Sequence, residues 1–272
     1  KTKNKKIVFF FNNASNIHRP LWTYKKFVSN IEAYNFFYSA NAFTNKLTIN
    51  LEEKKKKDSI NYFSLLSWDN YLTCCEEQTE LLKKNLDKYD YIIENIGSIS
   101  FEGNKKFFTA KSKELILSIF DVSAYRPRFV LYRQMPYYYY TYKNLIKFYE
   151  DIFDVFNNSS ENWKIFVKQK RPLGNRHLGV NKDFMKITQL SVLDLNKNIE
   201  RVSDDINANS IVLNSDMVIS MPYTTPSVMA KEYGIKTFFY DSTGLLPEHP
   251  MTKNIPLVSN KDSIRNFIKK NF

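Results

Sequence analysis

Glycine is scarce in this chain of 272 residues, with six in all, and none of them sits in a phosphate-cradling loop. Neither G-x-G-x-x-G nor G-x-x-x-x-G-K-[ST] occurs, which argues against nicotinamide-dinucleotide enzymes and P-loop nucleotidases. The absence of a G-x-S-x-G elbow argues against a hydrolase built on that turn. Histidine is rarer still: His18, His177 and His249 are too scattered for a metal site. The two cysteines, Cys74 and Cys75, are neighbours. Adjacent cysteines rarely bond to each other and no second pair exists, so no disulfide framework or zinc cluster is expected and the compartment reads as reducing. No apolar run approaches the roughly 20 residues of a membrane span, and nothing resembles a signal peptide. The chain opens KTKNKK without methionine. A fragment or trimmed form is the expectation there.

Basic charge is what the chain has in excess. Lys and Arg number 40 against 28 Asp and Glu, a formal charge of +12. That balance favours anionic partners: nucleotides, phosphorylated lipids, an acidic membrane surface or nucleic acid. The plainer reading is a diffuse basic surface, because Lys, Asn, Tyr, Phe and Ile are plentiful together, as AT-rich coding produces. No RNA- or DNA-binding motif occurs, and the lysine-rich segment NLEEKKKKDS (50–59) stands apart from the aromatics, so nucleic acid is not an expected partner.

The length suits one large or two small domains with a substantial core, and the composition changes character near residue 110. Before it, KIVFFFNN (6–13) is an apolar run ending in Asn-Asn, as in a buried strand entering a loop. NIEAYNFFYSAN reads as a second strand and YDYIIENIG (89–97) as another. YLTCCEEQTELLKKNL (71–86) has helical apolar spacing at Tyr71, Leu72, Cys75, Leu81, Leu82 and Leu86. SFEGNKKFFTAKSKE reads as the linker, dividing residues 1–110 from 111–272.

Beyond the linker, strands and helices alternate. ELILSIFDVSAYRP is a strand entering a loop. YTYKNLIKFYEDIFDVFNN carries Leu145, Phe148, Tyr149, Ile152, Phe153 and Phe156 on one helical face. WKIFVKQKRP is a strand running into Lys168, Lys170 and Arg171. DINANSIVLNSDMVISMP gives a short helix and a strand, and TTPSVMAKEYG a helix closed by Gly234. IKTFFYD, IPLV and KDSIRNFIKKNF add two strands and a terminal helix. The expected fold class is α/β, with mostly parallel sheets and right-handed crossovers in Rossmann-like domains.

In open parallel sheets, ligands bind outside the carboxyl ends of the strands. Polar groups converge there: Asp121 and Arg126, then Lys168, Lys170 and Arg171. Ser220, Tyr223, Thr224, Thr225 and Ser227 follow MVIS, and Asp241, Ser242, Thr243 and Gly244 follow TFFY. Hydroxyls and backbone N–H groups at the helix start would form an anion site, with lysine and arginine from the adjacent strand neutralising a phosphate or carboxylate.

The order SIFDVSAYRP, NLIKFYEDIFDVF, IFVKQKR, SDMVISMPYTTPSVMAKEYGIKTFFYDSTGLLPEHP and IPLVSNKDSIRNFI resembles the carboxyl-terminal domain of GT-B glycosyltransferases. It is most like those of bacterial surface-polysaccharide clusters (capsule, O-antigen, lipopolysaccharide). LLSWDNYLTCCEEQTELLKK with YDYIIENIG looks like the last helix and strand of a GT-B amino-terminal domain, so residues 1–110 would be the later part, or a reduced form, of the acceptor domain. The resemblance implies a nucleotide-sugar donor, linked to CMP, UDP or GDP, in the second domain and a glycan or lipid-linked acceptor toward the first. It implies no cofactor or metal, with positive side chains and a helix dipole stabilising the leaving phosphate. Glu232, read as one turn inside the helix, would reach a ribose hydroxyl, and Asp241, Thr243 and Gly244 would line the sugar pocket. An inverting transfer needs a base, for which His18 and Asp69 are the candidates; a retaining transfer need not use one. The aromatic run YRQMPYYYY suits a sugar face, a membrane interface or core packing alike. The expected location is cytoplasmic, at the inner membrane face. Two other readings stay open: an α/β nucleotide-sugar enzyme such as an epimerase, and a non-catalytic partner of this fold.

Overall fold

A computed structural model describes residues 6–12, 19–24, 27–37, 68–86, 90–97, 114–124, 139–170, 199–246 and 254–272. The chain forms two compact units, Lys1–Phe43 with Leu51–Ser100, and Thr44–Asn50 with Phe101–Phe272. The boundary expected at residues 110/111 and the charged loop at 50–59 lie outside the described residues.

Unit 1 is built on a four-stranded parallel sheet. Its strands β1 (Ile7–Asn12), β2 (Ile31–Phe36), β3 (Asn70–Thr73) and β4 (Ile92–Asn95) lie side by side in chain order. Helix α1 (Glu76–Asn85) packs Leu82 into a core with Ala33, Phe37, Trp68, Tyr71 and Leu86. β2 alternates buried and half-buried positions, as a strand with one packed face should. The helix expected from residue 71 starts only at Glu76, because Asn70–Thr73 is a central strand. All four of its residues are buried, and a strand buried on both faces reads as a continuous run that helical spacing matches equally well.

Unit 2 holds a six-stranded sheet, also parallel throughout. Its strands are β5 (Leu115–Phe120), β6 (Trp163–Lys168), β7 (Ile199–Arg201), β8 (Met217–Ser220), β9 (Lys236–Tyr240) and β10 (Leu257–Val258). They run in the order β10-β9-β8-β5-β6-β7, so the winding reverses between β5 and β8. This is the doubly wound order of the Rossmann fold. Because helices cover both faces, the strands need apolar residues on both. β8 is buried at every position, and β5 at every position after Leu115.

Helices α3 (Ala208–Leu213) and α4 (Thr225–Glu232) bury Ile211, Val212, Met229 and Ala230 against Ile116, Phe120, Phe166 and Val218. On the other face lie α2 (Tyr142–Asn157) and α5 (Lys261–Asn271), with Phe148 against Tyr240 and Phe267 against Phe238. The Thr141 hydroxyl caps α2 by accepting from the Asn144 amide at 3.3 Å. The apolar stripe expected on α2 is buried at Leu145, Phe148, Tyr149, Ile152 and Phe156. α4 ends in Gly234 at φ +71, where the Gly234 and Ile235 amides donate to the Lys231 and Ala230 carbonyls. That pair of bonds is the Schellman closure. Among the described residues, no helix is long and apolar enough to cross a membrane.

Candidate functional site

The reversal of winding opens a crevice outside the carboxyl ends of β5 and β8. β8 passes into the turn Met221-Pro222-Tyr223-Thr224, and α4 begins at Thr225. The turn forces Tyr223 to φ +60, a left-handed conformation that costs an ordinary residue about 1–2 kcal/mol. Its surroundings hold it there. The Tyr140 hydroxyl donates to the Pro222 carbonyl at 2.9 Å, and the buried Tyr223 ring packs against Phe239 at 5.7 Å.

Thr224 takes the N-cap position of α4, but its hydroxyl donates back to the Met221 carbonyl at 2.8 Å. No side chain caps the helix, and its first-turn amides have no partner within the helix itself. Beside them, the buried Thr225 hydroxyl has no hydrogen-bond partner. An uncapped helix start with an unpaired hydroxyl is an arrangement suited to an anion.

Three more buried polar atoms without partners lie at the same edge: Ser123 Oγ after β5, Gln169 Oε1 after β6, and the Tyr139 hydroxyl. Tyr139 lies near Asp241 and Ser242, after β9, without hydrogen-bond geometry to either. The sequence reading passed over all three. Ser123 and Gln169 are neutral residues beside charged ones, and Tyr139 was submerged in the tyrosine run. Tyr139 and Tyr140 are buried, so for them packing is the outcome; residues 132–138 lie outside the described residues.

Several expected donor contacts instead shape the edge. Asp121 is buried, accepting from the Tyr149 hydroxyl at 2.9 Å and the Lys170 amide at 2.6 Å. Burial pushes its carboxyl up to about 6 against the opposing pull of those bonds. Lys168 donates to the Ser203 and Asp204 carbonyls at 2.8 and 3.0 Å. Burial holds its ammonium below the ordinary lysine value, with Asp204 and Asp205 opposing. Ser220 and Ser227 are fully buried and bond each other at 2.6 Å, tying α4 to β8. Asp241 accepts from the Thr243 amide and hydroxyl and from the Leu246 amide, organising a turn in which Gly244 takes φ +68. Asp121, Lys168, Ser220, Ser227 and Asp241, expected at a ligand, thus each carry bonds within the protein. Lys170 has an exposed side chain at the edge and lies close enough to Asp121 for their charges to interact.

Glu232 is also repositioned. It closes α4, seven residues after Thr225 and so about two turns from the helix start, and it is exposed and paired with Lys231 at 3.1 Å. Asp69 immediately precedes β3, at the amino edge of its sheet, and its carboxylate is held by Arg19 at 2.7 Å. His18, Arg126 and Arg171 lie outside the described residues. Cys74 and Cys75 are free buried thiols at the start of α1. Among the described residues, no three His, Cys, Asp or Glu side chains gather as metal ligands.

A structure of the wall teichoic acid polymerase TagF soaked with CDPG is similar over 97% of this chain and 62% of its own, at 12% identity and a TM-score of 0.53. A structure from Listeria monocytogenes assigned as a UDP-N-acetylglucosamine 2-epimerase is similar over 98% of this chain and 66% of its own, at 11% identity and a TM-score of 0.55. These likenesses are of fold, and the chain spans less than two thirds of the polymerase's length. No curated protein matches by sequence. The family of polysaccharide biosynthesis PFTS motif proteins matches residues 4–268, nearly the whole chain, and the protein belongs to that family.

Proposed function

We propose that unit 2 binds a nucleotide-sugar donor at the β5–β8 crevice and that the protein transfers its sugar to a glycan or lipid-linked acceptor in surface polysaccharide synthesis, as a GT-B glycosyltransferase. The observation that carries this reading is the uncapped start of α4 with the unpartnered Thr225 hydroxyl at the point where the winding reverses. We take Pro222-Tyr223-Thr224-Thr225 as this chain's counterpart of the PFTS motif, read as one-letter residues, with an aromatic for Phe and a hydroxyl for Ser. In this reading the donor phosphate lies on the first amides of α4 and the Thr225 hydroxyl. Lys170, with Arg171 next to it in sequence and Arg126 from the stretch after β5, balances the charge that develops on the leaving phosphate. Ser123, Gln169 and the turn at Thr243 and Gly244 offer neutral contacts to the rest of the donor. The donor is linked to CMP, UDP or GDP, and His18 is the proposed acceptor-side base.

Calorimetric titration with CMP, UDP and GDP tests the site. One nucleotide is expected to bind. Thr225→Val, which removes a hydroxyl that bonds nothing within the protein, is expected to weaken binding about fivefold to tenfold while leaving Tm unchanged or slightly raised. Lys170→Ala is expected to weaken it by a similar factor. Unchanged affinity in both variants would remove the site from α4, and no binding of any nucleotide would remove the donor reading. The fold likeness to an epimerase supplies the competing reading. Incubation with the bound nucleotide's sugar conjugate separates the two, since a transferase releases free nucleotide only with an acceptor and an epimerase alters the sugar without one.

A further inference from the structure

Between β1 and β2 in unit 1, the turn at residues 19–24 inverts the usual surface arrangement, with Arg19 and Thr23 inward and Leu21 and Trp22 outward. The Arg19 side chain is 1% exposed; its guanidinium donates to the Thr23 hydroxyl at 3.0 Å, the Thr23 carbonyl at 2.8 Å and Asp69 at 2.7 Å. It also lies over the Tyr24 ring at 4.1 Å. The Thr23 hydroxyl donates to the Pro20 carbonyl at 2.6 Å. These bonds fix a short 3-10 turn, Leu21–Thr23. What the turn presents to solvent is Leu21, 72% exposed, and Trp22, 45% exposed, followed by Phe27 at 57%. Trp22 is propped from beneath by Phe9, edge to face at 4.9 Å. Large apolar side chains held outward by a rigid frame mark an interaction surface.

We infer that this turn docks onto an anionic lipid bilayer, with Leu21, Trp22 and Phe27 entering the boundary between headgroups and acyl chains. Charge selects that occupant. Lys25 and Lys26 stand between Tyr24 and Phe27 in the sequence, and the whole chain carries +12. Trp and Tyr beside lysine, with apolar tips, is the composition of an interfacial anchor, and anionic headgroups attract such lysines. Area argues against a protein partner. Three such side chains bury about 600 Å² at most, below the roughly 800 Å² per partner of a stable protein interface. The inference is independent of the sugar-transfer reading, since it uses no residue of the β5–β8 crevice.

Tryptophan fluorescence of the full chain tests it. The chain has three tryptophans, of which Trp68 and Trp163 are buried, so Trp22 is the one that a lipid can reach. Phosphatidylcholine vesicles with and without phosphatidylglycerol, carrying acyl-brominated lipid, are the probe. Quenching and a blue shift are expected with the anionic vesicles, weakening as salt rises. Trp22→Phe is expected to abolish the quenching. Leu21→Ser with Phe27→Ser is expected to weaken vesicle binding about tenfold or more with Tm unchanged. No quenching at low salt, quenching that survives Trp22→Phe, or unchanged binding by the double variant would overturn the inference. So would a concentration-dependent dimer that the double variant abolishes, because the surface would then be a protein interface.

Discussion

Asp121 couples the crevice to pH. Its folded-state carboxyl titrates near 6, against a reference value of 3.8, and burial is the larger cause. A carboxyl raised in the folded state stabilises the fold below its unfolded pKa, and that contribution is lost as pH rises through the folded one. The whole contribution of this group is therefore about 3 kcal/mol, of which about 2 kcal/mol is lost as pH rises from 4 to 6. Asp121→Asn keeps an acceptor for the Lys170 amide and removes the titration. Urea unfolding of both proteins at pH 4.5 and pH 7 is expected to show the variant gaining on the parent at the higher pH. An equal difference at both values would mean that Asp121 is ionised throughout. At this scale the sequence was a partial guide. It drew attention to the carboxyl ends of the unit 2 strands, where Ser220 and Thr225 follow the apolar run of β8. It did not separate hydroxyls without a partner from those that bond one another, since Ser220 and Thr225 look alike until their partners are known.

At the scale of elements, the parallel strands of unit 2 were legible because burial on both faces demands unbroken apolar runs, as in β5 and β8. β3 was hidden for the same reason, its short run merging with the start of α1. β7 has only three residues, too few for periodicity to register, and went unread. The end of α4 was legible through Gly234, and the structure shows what that residue does. Its φ of +71 is the left-handed closure, and a Cβ there would meet no atom within 4 Å. Gly234→Ala is therefore expected to cost only the backbone term, about 1 kcal/mol. Thermal denaturation measures it; a loss several times larger would mean that the turn reorganises and carries α4 with it.

On the scale of the molecule, β5 and β8 form the central seam of unit 2, and they come from distant parts of the chain. The Ile116 amide, at the root of β5, donates to Asp216, which is 100 residues on. A ribosome adding about 5–20 residues per second leaves β5 without that neighbour for roughly 5–20 s. During that interval Leu117 and Ile119, fully buried in the finished unit, flank an open strand edge. Ribosome-stalled chains ending before residue 217 are expected to be held by a chaperone that releases the full-length chain, and equal capture of both would refute this. The change in winding thus also bears on the order of assembly: β5 pairs with β6 long before β8 exists, and the seam where a ligand would lie stays open until the second half of the unit is made.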